Sequence, residues 1–121
     1  MRKNLVAAAV LAIGACAAPE SFTEDPLAPY KGDDSVLYRS DSTKDGYRVV
    51  VDYSTYEMMP RIGEAEDKCK EMLAKIVGEE LVSRGHTDAD VARRSTRVSM
   101  GRDNVLLQTR CTAAATVILT K

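Results

Sequence analysis

From residue 105 to residue 119 the chain alternates without a break. Val105, Leu107, Thr109, Cys111, Ala113, Ala115, Val117 and Leu119 fall on one side, and Leu106, Gln108, Arg110, Thr112, Ala114, Thr116 and Ile118 on the other. A period of two marks a strand. A strand this long constrains the fold, because its backbone groups need hydrogen-bonded neighbours and its apolar side needs a covering layer.

The neighbours are legible upstream. Val36-Leu37-Tyr38-Arg39 is a short strand candidate, and Asp45-Gly46 is a hairpin signal. In residues 47 to 56, Tyr47, Val49, Val51, Tyr53 and Thr55 share a face suited to a core; Arg48, Val50, Asp52, Ser54 and Tyr56 share the other. Residues 95 to 100 read as a further strand, with Gly101-Arg102-Asp103-Asn104 as its turn into the long one.

The covering layer is a helix between Pro60, suited to a first turn, and Gly85, suited to a stop. Ile62, Ala65, Cys69, Met72, Leu73 and Ile76 recur at steps of three and four and draw one apolar stripe. Glu64 with Lys68, Glu66 with Lys70, Glu71 with Lys75 and Glu80 with Arg84 are spaced i,i+4, acid first, the favourable orientation. Glu80 breaks the stripe two residues after Gly78, which predicts a bent or frayed last turn. Thr87-Asp88-Ala89-Asp90 fits a weak capping box and one short turn. The expected fold is α+β, order ββαββ, one main helix on an antiparallel sheet behind a disordered N-terminal tether.

The chain also carries an address. Arg2 and Lys3 precede an apolar run from Leu5 to Ile13, then Gly14-Ala15-Cys16. That is the layout of a secretory signal peptide over residues 1–15, too short an apolar run for a spanning helix. Ile13-Gly14-Ala15-Cys16 resembles the bacterial lipobox, whose cysteine is diacylated before cleavage. The expectation is a lipidated Cys16 that anchors the domain to a membrane; the alternative is ordinary cleavage and a soluble periplasmic protein. Ala17 follows the cysteine where the inner-membrane retention signal of such lipoproteins places Asp, so the expected location is the periplasmic face of the outer membrane.

Residues 16–34 then read as the lipidated cysteine and a flexible linker, with three prolines, five acids and no apolar period after Ala17. Phe22, Leu27 and Tyr30 leave a second reading open, an extended peptide docked on the domain or a partner. Residues 35–121 are the small periplasmic α+β domain, a core small enough for a cross-link to matter.

Of three cysteines, acylation of Cys16 leaves Cys69 and Cys111 as an even pair. Exported thiols meet an oxidising compartment. One lies on the helix stripe and the other on the apolar side of the long strand, and the small Ala113 and Ala115 permit close approach. A disulfide between Cys69 and Cys111 is therefore expected.

A wider likeness rests on Thr96-Arg97-Val98-Ser99-Met100-Gly101-Arg102-Asp103, on Thr109-Arg110-Cys111-Thr112-Ala113, and on Tyr53-Ser54-Thr55-Tyr56 leading to Pro60. Over residues 47 to 117 the chain resembles small exported proteobacterial proteins with no assigned activity. It departs at Asp103, where that group is expected to carry Asn. The resemblance implies the fold and the helix-to-strand disulfide, and brings no chemistry with it.

Charge excludes more than it assigns. Acids outnumber bases 18 to 17, and the bases cluster in the C-terminal half, too few for a nucleic-acid footprint. His86, with Asp88, Asp90 and Ser83 nearby, suggests a metal or hydrolytic site, but carboxylates on one short loop are a poor metal cage and adjacency is not a triad. The expectation is no metal, no cofactor and no enzyme. The competing reading is a small thiol-disulfide or hydrolytic enzyme using Cys69 or His86. Arg97 and Arg110 are expected on one open sheet face that meets an envelope protein, a lipid headgroup or an anionic glycan, against a merely solvated face. Arg102 joins them, or braces the turn with its guanidinium.

Overall fold

The computed structural model describes residues 22–59 and 61–120. Residues 1–21, to which the expected signal peptide and the expected lipidation of Cys16 belong, lie outside the described residues, as do Pro60 and Lys121. Five strands form one antiparallel sheet: β1 (Ala28–Tyr30), β2 (Asp33–Ser42), β3 (Gly46–Tyr56), β4 (Val91–Asp103) and β5 (Gln108–Leu119). Their spatial order is β1-β2-β3-β5-β4. Helix α1 (Ile62–Ser83) packs on one face, and a 3-10 turn (Asp88–Asp90) leads into β4. The expected α+β architecture holds, with one strand more than the sequence announced.

That extra strand moves the domain boundary. Ala28 pairs with Tyr38 and Pro29 with Leu37. Tyr30 is only 8% exposed. Its hydroxyl donates to the Glu79 carboxylate of α1 at 2.8 and 2.9 Å, and its ring meets Tyr38 edge-on at 5.7 Å. A flexible linker reaching residue 34 is therefore corrected in favour of the docked peptide. The local pattern was too short to reveal a strand whose partners, Leu37, Tyr38 and Glu79, come from elsewhere in the chain.

The core lies between α1 and the sheet. Tyr47, Val49 and Val51 of β3 and Cys111, Ala113, Ala115 and Val117 of β5 meet Cys69, Leu73, Ile76 and Val77. The alanines keep the helix close: the Cα atoms of Cys69 and Cys111 are 6.2 Å apart and their sulfurs sit at disulfide distance. β3 runs against β5 over its whole length, from Gly46 opposite Ile118 to Tyr56 opposite Gln108. Gly46 is required there, since a β-carbon at that position meets the Val117 carbonyl.

Two local expectations change. α1 runs unbroken through Gly78 and Glu80, because Glu80 finds partners: Ser40 donates to it at 2.8 Å and Arg84 at 3.2 Å. A paired carboxylate does not bend the helix end. The turn expected at residues 101–104 lies later, since Gly101 and Arg102 are still in β4 and the strand β5 begins only at Gln108. Asp103 Oδ1 accepts the N–H groups of Val105 and Leu106 at 2.9 and 3.1 Å, closing the turn around them, and Leu107 has φ of 54°. Alternation alone carried the strand through three residues that a side-chain cap takes out of it.

Candidate functional site

The face of the sheet away from α1 is the one expected to carry arginines. Ladder register puts Arg97 opposite Ala114, and Gly101 opposite Arg110. Arg97 and Arg110 therefore share this face, displaced along it by about four residue rises, roughly 14 Å. They do not form one cluster. Arg110 donates to Asp52 at 2.7 Å, and the Arg97 guanidinium lies 4.5 Å from the centre of the Phe22 ring.

Phe22 shows what crosses this face. Arg48 donates to the Phe22 carbonyl at 3.1 Å, Arg39 to that of Pro26 at 3.5 Å, and Arg39 faces Asp25 at 3.6 Å. The chain from residue 22 therefore passes over β4, β5 and β3 toward β2 before it turns into β1. Val50 and Ala114, on the same face, are buried. Three arginines here fasten the protein's own N-terminal segment, which charge patterning alone does not disclose.

Arg102 belongs to the other face. It stands opposite Thr109, which is buried, and donates to Thr109 Oγ1 at 2.8 Å, to the Glu57 carbonyl at 2.6 Å and to Asn104 at 3.1 Å. That is the bracing role, tying the β4–β5 hairpin to the loop after β3. It is not part of the Arg97 face.

The cysteines are sealed, with both side chains 0% exposed in the core. His86 Nδ1 faces Asp90 Oδ2 at 3.2 Å, and the same carboxylate accepts the Thr87 N–H at 2.9 Å, so the His86 loop is closed on itself. Among the described residues no group of three or more His, Cys, Asp or Glu side chains could hold a metal ion. No helix among them is long and apolar enough to cross a membrane.

Two features escaped the sequence. One is a groove of about 440 Å³ between the C-terminal half of α1 and β4, walled by Val77, Leu81, Val91 and Val117, with Arg94 and Asp88 at its lining. It exists because α1 lies over β3 and β5 and leaves the edge strand β4 uncovered. Beside it Arg84 forms a clamp, donating to Ser42 at 2.8 Å and Ser40 at 3.3 Å while lying 4.9 Å from the centre of the Tyr47 ring. Tyr47 in turn donates to the Val77 carbonyl at 2.9 Å, and burial raises its phenol pKa. The other feature is a set of bare apolar side chains where the loop after β3 meets the β4–β5 turn. Met58 and Met59 sit in the first, Val105, Leu106 and Leu107 in the second, all exposed. The residue types were visible, but their exposure depends on where the strands end.

No family model matches this chain, and no curated protein and no solved structure matches it.

Proposed function

We propose that this chain is a lipid-anchored cell-envelope domain with a non-catalytic binding or structural role, held by an acylated Cys16 at the periplasmic face of the outer membrane. The observation that carries the reading is the Cys69–Cys111 pair, at disulfide distance inside the core. It suits an oxidising compartment, and it joins an N-terminal pattern of export and acylation. A thiol-exchange enzyme needs a sulfur that its substrate can reach, and neither sulfur here is accessible. The His86 imidazole sits against Asp90 as a local brace.

In this reading the arginines of the open face hold the N-terminal segment in place, so that the chain leaves the domain at Phe22 toward its anchor. The likeness to small exported proteobacterial proteins is part of the same proposal.

Mass spectrometry of the wild-type chain expressed in a diderm bacterium, together with Cys16→Ser, tests it. The expected result is an acyl-bearing N-terminal Cys16 and outer-membrane fractionation, both lost in the variant. No acyl mass on the wild type, with the variant fractionating identically, overturns it.

A further inference from the structure

Among the described residues, seven of the eight exposed large hydrophobic side chains lie at one end of the molecule. Met58, Met59 and Ile62 come from the β3–α1 connection, Val105, Leu106 and Leu107 from the β4–β5 turn, and Tyr56 from the end of β3. Met58 is 78% exposed and Val105 88%. Scattered exposed apolar residues need no explanation, but a concentration at one end marks a surface for a protein or a membrane.

Part of the backbone at this end is already paired without water. Asp103 Oδ1 accepts the N–H groups of Val105 and Leu106, and the Leu107 carbonyl accepts the Glu57 N–H at 2.8 Å. The Glu57 carbonyl accepts from Arg102, and Glu57 Oε1 accepts the Arg61 N–H at 3.1 Å. An apolar phase demands such internal pairing, because unpaired backbone groups there are costly. The two loops lie where β3 and β4 end and β5 begins, so their apolar side chains share one end of the sheet.

We infer that this tip dips into the interface of a lipid bilayer, so that the domain stands on its two apolar loops beside its own anchor. The second half of that statement rests on the acylated Cys16 of the proposed function. Its geometry follows from length. Phe22 is held between Arg97, which stands opposite Ala114, and Arg48, which stands opposite Thr116. From Ala114 to the start of β5 at Gln108 is about 20 Å of strand, and the six residues from Cys16 to Phe22 span at most about 20 Å. An extended tether can therefore carry Cys16 toward the end of the sheet that bears the tip. The carboxylates of Asp103 and Glu57, close behind the apolar side chains, limit entry to the headgroup boundary.

The protein contains no tryptophan, so a single one reports its own surroundings. Leu106→Trp places it at the tip and Lys44→Trp in the turn at the opposite end of the sheet. Both go into the full chain, reconstituted with phosphatidylethanolamine–phosphatidylglycerol vesicles carrying brominated acyl chains. The expected result is a blue-shifted emission and quenching by the bromines for Leu106→Trp, and neither for Lys44→Trp. Val105→Trp, at the most exposed site, repeats the measurement if Leu106→Trp fails to fold. Equal quenching of tip and control by aqueous iodide on vesicles overturns the inference. So does a blue shift without vesicles that grows with protein concentration, which assigns the tip to a second copy. Cys16→Ser in the Leu106→Trp chain separates the two readings. Absence of acyl mass on the wild type removes the anchor alone, while bromine quenching of the unacylated chain at high lipid still supports the tip. Adding Met58→Asp to the unacylated chain is expected to lower vesicle partitioning by about tenfold or more.

Discussion

The two ends of the sheet are built from the same strands and finished in opposite ways. At one end Arg84 joins Ser40, Ser42, Glu80 and the Tyr47 ring, Tyr47 is bonded to the Val77 carbonyl, and the Asp45 carbonyl accepts the Leu119 N–H. Polar groups there are spent on one another. At the other end the Arg102 guanidinium is also partnered, yet beyond it methionine, valine and leucine side chains are exposed. The Cys69–Cys111 link lies just inside that second end, in the second turn of α1 and near the start of β5. A stiff base beneath bare apolar loops separates the work of holding the fold from the work of meeting something else.

The comparison breaks most sharply at the disulfide. A bridge spanning 42 residues is worth about 4 kcal/mol in the chain-entropy model. Cys69→Ala and Cys111→Ala are each expected to lower unfolding free energy by about 2 to 5 kcal/mol, the double variant little more, by urea denaturation. Strong additivity would show that the two sulfurs act separately.

Gly46→Ala comes next. Its β-carbon meets the Val117 carbonyl, so β3 and β5 must part locally, and a loss of about 1 to 3 kcal/mol is expected by the same assay. A neutral result would mean that this end is looser than its hydrogen bonds suggest.

Arg84→Ala removes the clamp and is expected to cost about 1 to 2 kcal/mol. Met58→Ser with Leu106→Ser at the other end is expected to stay within about 0.5 kcal/mol of wild type. The contrast itself is the test: if the tip pair destabilises as much as Arg84→Ala, those side chains are structural and the asymmetry of the two ends disappears.

The smallest effect concerns the edge strand. The Tyr30 hydroxyl, followed by Lys31, holds the Glu79 carboxyl below its usual value of 4.5. A lowered folded pKa gives stability that is present above the unfolded value and is lost as pH falls through the folded one. The thermal midpoint advantage of wild type over Tyr30→Phe should thus be present at pH 7 and shrink below the carboxylate range. Because Glu79 is largely solvated, the difference should be a small one. A difference that does not change with pH would mean that Tyr30 acts through its ring alone.

What the sequence determined by itself was everything that repeats. The alternation of β3 and β5, the apolar stripe of α1 and the cysteine on each assign the layers and bring the two sulfurs together, because periodicity decides which side chains share a face. The tertiary structure alone decided what happens where a pattern stops. Pro29 and Tyr30 became a strand because Leu37, Tyr38 and Glu79 were there to receive them; Phe22 lay across the sheet because Arg48 and Arg97 held it; and Glu80 stayed helical because Ser40 arrived from β2. Val105, Leu106 and Leu107 continued a strand in the sequence and left it in the molecule, since one carboxylate, Asp103, bound two of their amides and turned the chain. The partners in most of these pairs are far apart along the chain, and the Asp103 cap competes with a ladder that only the folded sheet supplies, so no local pattern carries them. Those decisions placed the apolar tip and the path of the N-terminal segment.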